Sequence, residues 1–452
     1  MLAHGSIGSA LFKLSAPAII GMVVIAIYNV VDTFFVSLLR DTTLVAATGI
    51  VFPIFQLVGA VGLTFGMGAA SVVSRRIGAG DTQAANEAAA TAIYSVVVIG
   101  AVVSALGATF AGTILGLFGA TPSIIGAATL YGRIIIGGSI FQMINMTVNN
   151  IVRAEGASMY SSAGQILGAG LNIILDPIFI FVLDMGITGA AVATVISQAV
   201  SMLWILGFYF RRQGVLNPLL LRNVRLRGST YGEIMNLGLP TLVRQLLGSV
   251  SFAILNNAAA VYGDKAIAAI SVTQRLFMLL MMTMIGLSQG LQPLAGYNYG
   301  ARRYDRVHAT IRLVFTISTG FGLVVGVAAF IFAAGIMRIF VPQDAEVIAM
   351  GVRAIRLTSF SLVPTGLVIM FGGIFQALGD GRSALGLAVG QQGAFLIPLV
   401  IFLPRLIGLD GVFAAQPAGF ILTFLIGVLL YKRSSRAMSR LEQKKLEEAA
   451  AT

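Results

Sequence analysis

GMGAASVVSRRIGAGD at residues 66–81 and SQGLQPLAGYNYGARR at residues 288–303 are two versions of one pattern. Gly68 falls over Gly290 and Gly78 over Gly300, an offset of 222 residues. Other landmarks keep nearly the same offset. KLSAP, ending at Pro17, answers NLGLP, ending at Pro240, and VRAEG, ending at Gly156, answers FQALG, ending at Gly379. Pro177 likewise matches Pro398, and Gly189 matches Gly411. Several independent landmarks on one offset mean a tandem duplication.

What is duplicated follows from composition. The 452 residues are 57% hydrophobic and 10% charged, where a soluble chain carries about 25% charged residues. Mean hydropathy is +0.93. Apolar runs of about 20 residues, long enough to cross a bilayer as a helix, recur along the whole chain. Six are expected near 13–39, 44–74, 88–111, 124–150, 159–183 and 188–210, and six more near 233–261, 266–298, 307–337, 347–377, 383–404 and 411–431. The expected fold is therefore an all-α polytopic membrane protein of twelve transmembrane helices. Six is an even number, so both halves insert the same way up and the repeats are parallel, related by an axis along the membrane normal. The expected organisation is an N-terminal six-helix lobe over 1–211, a cytoplasmic linker over 212–232, a C-terminal six-helix lobe over 233–433 and a charged, solvated or membrane-surface tail over 434–452. Two such lobes facing one another enclose a central cavity.

The net charge of +12 is a topology signal rather than a nucleic-acid signal. With the N-terminus cytoplasmic, nineteen Lys and Arg residues fall on that side, from Lys13, Arg75 and Arg76 to the tail between Lys432 and Lys445. The other side receives Arg40, Lys265, Arg338 and Arg405. By the positive-inside rule both termini are cytoplasmic. The absence of Cys excludes disulfides and thiolate metal sites. The first apolar segment is too long for a signal-peptide core and is expected to stay as a span.

Glycine and proline inside the spans fit a bundle that bends and packs closely. Pro17, Pro53, Pro240, Pro293, Pro364 and Pro398 each remove a backbone hydrogen bond. Gly62 with Gly66, Gly164 with Gly168, and Gly286 with Gly290 have the spacing that lets helices approach. Pro17 is the candidate hinge, because it shares a span with Asp32.

Only two of the seventeen carboxylates, Asp32 and Asp176, lie deep inside apolar stretches. An acid at bilayer depth costs at least about 2.5 kcal/mol on insertion scales, so it is usually paired, protonated or occupied by a cation. At a rise of about 1.5 Å per residue, Asp32 lies ~10 Å and Asp176 ~12 Å from the outer surface, with Thr194 at ~9 Å and Tyr131 at ~10 Å. Asn172 is one helical turn before Asp176, on the same face. Oxygens from four spans of one lobe thus reach one depth. A hard cation such as Na⁺ needs such a set to replace its water shell, and Asp32, Asn172, Asp176 and Thr194 are its candidate ligands. The same carboxylates would serve a proton. The plainer alternative is that Asp32 and Asp176 pair with Arg133 or cap a kink at Pro177.

The second lobe has no comparable acid and carries Arg244, Arg275 and Arg356 within its spans. Deep arginines face a cavity or a partner rather than lipid. Arg244 and Arg275, with Gln245, Met278 and Met282, are candidates for a substrate cavity. The alternative is that the arginines bond carbonyls freed by Pro240 or Pro293, and that the methionines, with Met281 and Met284, are ordinary packing.

The chain resembles the MATE (multidrug and toxic compound extrusion) transporters, most closely the prokaryotic group with DinF-like and MepA-like members. The resemblance rests on the duplicated twelve-span plan and on SAP at 15–17, YNVVDTFFV at 28–36, RRIGAGD at 75–81 and SQGLQPLAGYNYGARRYDRV at 288–307. NNIVRAEG at 149–156 and FQALGDGRSAL at 375–385 stand where the family has its paired loop signatures. The resemblance covers essentially the whole chain. It implies efflux of bulky, lipophilic, often cationic compounds in exchange for H⁺ or Na⁺, by alternating access and without a cofactor. It also implies that coupling runs through Asp32, Asn172, Asp176, Thr194 and Tyr131, with Pro17 as the bending proline. NorM-like members carry further acids in the second lobe, where this chain has Arg244 and Gln245.

Other classes fit less well. A flippase for a lipid-linked or other anionic amphiphile would suit the deep arginines, but such flippases often have fourteen spans. A channel would need a filter loop, and none is repeated here. The two histidines, His4 and His308, sit at polar ends, and no catalytic spacing or Walker motif occurs, so an enzyme or ATP-driven pump is not expected. The expected partners are small lipophilic substrates and the bilayer, with no nucleic acid. The expected state is a monomer in the plasma membrane of a prokaryote.

Overall fold

The computed structural model describes residues 2, 5–39, 41–341 and 344–450, and among these the chain forms helices and no strand. The expectations that involve His4 and Arg40 lie outside the described residues. Three long helices open the chain: α1 (Ile7–Ser37), α2 (Thr42–Gly78) and α3 (Thr82–Thr109). Side-chain oxygens start each of them by accepting otherwise unpaired amides of the first turn. Ser6 Oγ accepts Ser9 N at 3.4 Å, Asp41 accepts Thr43 N at 2.8 Å and Asp81 accepts Ala84 N at 3.0 Å. After the short α4 (Ala111–Leu117), α5 (Ile125–Gly137) and α6 (Ser139–Ala154) make one span bent by 41°. The next span, α7 (Ser158–Pro177), continues into a π-helical turn over Ile178–Val182, and α8 (Gly186–Phe210) closes the half.

The second half repeats this order. It comprises α9 (Gly228–Ala260), α10 (Asp264–Gly300), α11 (Tyr304–Phe340) and a span of α12 (Ala345–Ser359) with α13 (Leu362–Leu378) bent by 50°. It ends with α14 (Gly381–Val389), a π-helical turn over Gly390–Phe395, α15 (Leu396–Ile407) and α16 (Leu409–Ala450). Ten continuous stretches and the two bent pairs give twelve crossings among the described residues. The breaks, at Gly138 and at Phe360–Ser361, lie one repeat offset apart. Gly156 and Gly379, paired in sequence, both take positive φ (91° and 81°), which glycine adopts without penalty.

The halves meet through α1 on α10 and α2 on α9 and α10. Lipid is as apolar as a leucine side chain, so helices in a bilayer associate through close backbone approach rather than hydrophobic burial. The duplicated motif supplies that approach. A Cβ at Gly78 would fall 2.0 Å from the carbonyl oxygen of Tyr297, and one at Gly300 would fall 1.9 Å from that of Arg75. Arg75 and Tyr297 are themselves one repeat offset apart, so the contact is made twice about the pseudo-symmetry axis. Gly238 against Thr64 and Gly286 against Ile19 repeat the relationship deeper in the bundle. All these contacts lie toward the end that bears both termini. At the opposite end Val30, Phe34, Phe52 and Phe252 are each more than half exposed. The halves are therefore packed backbone against backbone at the terminus-bearing end.

The structure adds detail to two connecting segments. α9 already begins at Gly228, inside the expected linker, and the remaining linker is strapped to the first half. Tyr94 donates to Leu219 O at 2.7 Å, and the Glu155 carboxylate accepts Tyr209 Oη at 2.6 Å, Val215 N at 2.8 Å and Leu216 N at 3.1 Å. Burial pushes the Glu155 carboxyl above its usual range despite those bonds. α16 runs unbroken through the tail, most of whose residues are exposed, and one face of it packs on the second half. Met438 is buried there, Ser434 Oγ donates to Asp380 Oδ2 at 2.7 Å, and Lys445 Nζ donates to Arg302 O at 2.9 Å. His308 stands 3.9 Å from Glu442 of the same tail.

Candidate coupling site and polar chamber

Asp32 comes from α1 and Asp176 from the last turn of α7, just before Pro177 and its π-helical turn. The two carboxyl groups lie within hydrogen-bond reach of one another. Two bare carboxylates at that separation repel, so a shared proton or a bridging cation must accompany them. Asn172 Nδ2 donates to Asp176 Oδ1 at 3.1 Å and approaches Thr194 Oγ1 of α8 at 3.4 Å. Tyr131 of α5 is buried and interacts electrostatically with both acids. The structure thus brings all five residues singled out from the sequence into one cluster. It also adds Tyr28, whose hydroxyl hydrogen-bonds with Thr194 and which interacts with both acids. Tyr28 lies one helical turn before Asp32, so the i, i+4 spacing applied to Asn172 and Asp176 would have found it.

Three buried oxygens of the cluster lack a hydrogen-bond partner among the described residues: Asp32 Oδ1, Asn172 Oδ1 and Asp176 Oδ2. A buried polar atom left unpaired costs about 1–3 kcal/mol, more when charged, so native structures seldom tolerate several together without an occupant. Three such oxygens with the Thr194 hydroxyl fit a hard monovalent cation, and the carboxyl pair alone fits a proton. Arg133 is exposed and forms no ion pair among the described residues, so the alternative that it neutralises these acids is not what the structure shows.

Tyr28, Asn172 and Thr194 also line a cavity of about 160 Å³ within the first half, between α1, α2, α6, α7 and α8. The rest of its wall is rich in amides, including Gln56, Gln142, Asn145, Gln165 and Gln198, with no charged side chain. Among the described residues, Gln142 Oε1, Asn145 Oδ1 and Gln165 Oε1 are buried without donors. The sequence reading missed this chamber, because its amides are spread over several spans and no single stretch shows them together.

The substrate cavity expected in the second half is not assembled in the same way. Arg244 and Gln245 are half-buried on α9, Met282 is half-buried on α10, and Arg275 and Met278 are exposed. None of the five lines the chamber. Among the described residues, the Arg244 guanidinium makes no hydrogen bond to a carbonyl freed by Pro240. Met284 is core packing against Ser318, and Met281 packs beside Phe277 and Phe371. Arg356 stacks on Phe330, 5.1 Å from the ring centroid.

The MatE family pattern matches residues 17–178 and 240–401, both halves of the duplication and well over half the chain. The chain belongs to the MATE family. It is a transporter, not an enzyme. It is 29% identical over 406 residues to the multidrug export protein MepA of Staphylococcus aureus (strain MSSA476), covering 89% of this chain and 88% of that one. MepA of Staphylococcus haemolyticus (strain JCSC1435) is 28% identical over 434 residues, covering 96% and 95%. A solved MATE in complex with MaL6 superposes with a TM-score of 0.91 at 27% identity, over 98% of both chains. An outward-facing multidrug resistance MATE transporter of the MOP superfamily superposes with a TM-score of 0.90 at 27% identity, again over 98% of both chains. This MATE transporter therefore shares the family's two-repeat, twelve-crossing architecture, with its acidic pair confined to the first repeat.

Proposed function

We propose that the transporter is a secondary active antiporter, exporting bulky, lipophilic, often cationic compounds in exchange for H⁺ or Na⁺. The single observation that carries this reading is the Asp32–Asp176 pair, unpaired oxygens included, sharing Tyr28, Asn172 and Thr194 with an amide-lined chamber. Ion and cargo then compete for one set of groups, which is what exchange requires. A cargo that displaces the ion must supply donors or positive charge to Gln142, Asn145 and Gln165, whose oxygens have none. The names of the staphylococcal relatives, multidrug export proteins, support the export of drugs. A flippase for an anionic amphiphile would need positive groups in the chamber, and its lining has none.

In this reading the terminus-bearing end is cytoplasmic, in keeping with the charge bias, and the bundle is closed to the cytoplasm and open outward. Pro17 lies on α1 between Ser15 and Ile19, which are held against Gly290 and Gly286 of α10. Bending there would move Asp32 relative to Asp176 while the seal holds, and so couple ion binding to cargo release. The protein works as a monomer in a prokaryotic plasma membrane. Efflux of a fluorescent lipophilic cation from cells expressing the Asp32→Asn variant tests the reading. Loss of efflux with normal membrane insertion is expected, and undiminished efflux would overturn it.

A further inference from the structure

Arg153, the last basic residue of α6, is buried where the two halves meet at the terminus-bearing end, with 3% of its surface exposed. It donates across the seal to Gln289 Oε1 of α10, and within its own half to Asn149 Oδ1 and, at 3.4 Å, to Ser161 Oγ. Its Nε has no acceptor among the described residues. Every partner is neutral. Among the described residues, which include all seventeen carboxylates, none forms an ion pair with it. The carbonyl end of α6 offers a partial negative charge and no full one. Its repeat counterpart, Gln376, also joins the halves, through its main-chain carbonyl to Ser71 Oγ of α2, but carries no charge. Of these two cross-links, the one made by Arg153 is therefore a buried cation without a counter-charge.

An arginine does not shed its proton on burial, and a buried charge without a partner is strongly unfavourable compared with a paired or solvated one. We propose that Arg153 is the positioning residue that keeps the seal from being too stable. Closing the terminus-bearing end dehydrates its guanidinium, and opening that end restores its water. The charge thereby biases the transporter toward reopening after cargo release, and the bond to Gln289 only orients it. The bias rests on the alternating-access reading of the bundle.

The test uses the absence of native cysteine. Thr64, buried against Gly238 across the seal, is replaced by Cys, and its alkylation by a water-soluble maleimide reports how often the seal opens. Removing the charge (Arg153→Gln) should slow alkylation at least threefold. Supplying a counter-charge (Gln289→Glu) should slow it as well, although it strengthens rather than removes the cross-link. Arg153→Lys, which keeps the charge, should leave the rate near that of the parent. If Arg153 were merely a structural clasp, Arg153→Gln would speed alkylation, and that result or an unchanged rate overturns the proposal. Asn149→Asp, which supplies a counter-charge from Arg153's own half without strengthening the bond across the seal, decides the matter should Arg153→Gln fail to fold: slower alkylation is expected, and an unchanged or faster rate overturns the proposal. The readout involves no cargo, so a parent protein that exports nothing would sink the antiporter reading while leaving this test intact.

Discussion

Asn172 holds Asp176 through its amide nitrogen at 3.1 Å, while its own carbonyl oxygen, like Asp32 Oδ1 and Asp176 Oδ2, has no hydrogen-bond partner among the described residues. A short polar side chain one turn before an acid is thus used twice, once to orient the carboxylate and once to enlarge the oxygen set. If the site takes Na⁺, Asn172→Leu removes one ligand and should weaken ion activation by tenfold or more. If it takes only a proton, the same variant should retain coupling with a shifted pH profile. Transport rate measured against Na⁺ concentration and against pH distinguishes the two.

The acids are expected to act as one unit. Asp32→Asn and Asp176→Asn should each reduce coupled efflux at least tenfold, and the double variant should be little worse than either single one, because groups that share one proton or ion do not contribute additively. Efflux rates normalised to membrane-inserted protein check this.

The seal depends on absent side chains more than on charges. A Cβ at Gly300, 1.9 Å from the Arg75 carbonyl, cannot be accommodated without moving a helix. Gly300→Ala should destabilise the sealed state by about 1–3 kcal/mol, the usual cost of overpacking. It should raise the alkylation rate of a Cys at position 64 correspondingly.

The Arg76–Glu233 ion pair, 2.8 Å across the same interface, should matter less. Both side chains are well exposed, at 39% and 47%, so water and salt screen them. Glu233→Gln should change thermal stability by less than about 1 kcal/mol. A larger loss in a thermal melt would show that the pair holds the seal.

Glu155 predicts a pH effect on the stability of the linker strap. Burial raises its carboxyl above the ordinary value of 4.5 in the folded protein. Below 4.5 both folded and unfolded states carry the proton and the contribution is whole. As pH rises through the raised folded value, the unfolded state has already ionised, so stability is lost. The thermal midpoint of the parent should fall across that interval, and that of Glu155→Gln should not.

Much of this architecture can be read from the sequence, because the duplication fixes residues that cannot vary independently. Gly78 and Gly300 appear as a matched pair in the chain and as a matched pair of helix contacts in the fold. Asp32, Asn172, Asp176, Thr194 and Tyr131 were recoverable because depth along a span is a one-dimensional quantity that topology supplies. What was hidden depends on rotation and on neighbours. The bends at Gly138 and Phe360 interrupt no hydropathy, so span length alone does not show them. The tail reads as solvated because it is charged, yet only one of its faces needs to dock, and Ser434 and Met438 lie on that face. The amide chamber draws on five helices, and although Gln142, Asn145 and Asn149 share one face of α6, no spacing within one helix shows which other helices complete the wall.

The most direct measurement is efflux from proteoliposomes containing the purified transporter, energised by an imposed pH gradient or an imposed Na⁺ gradient. The account predicts that at least one gradient drives a lipophilic cation against its own concentration, and that Asp32→Asn abolishes the response. Uptake or release that merely follows the cargo gradient, indifferent to both ions and to Asp32, would contradict it.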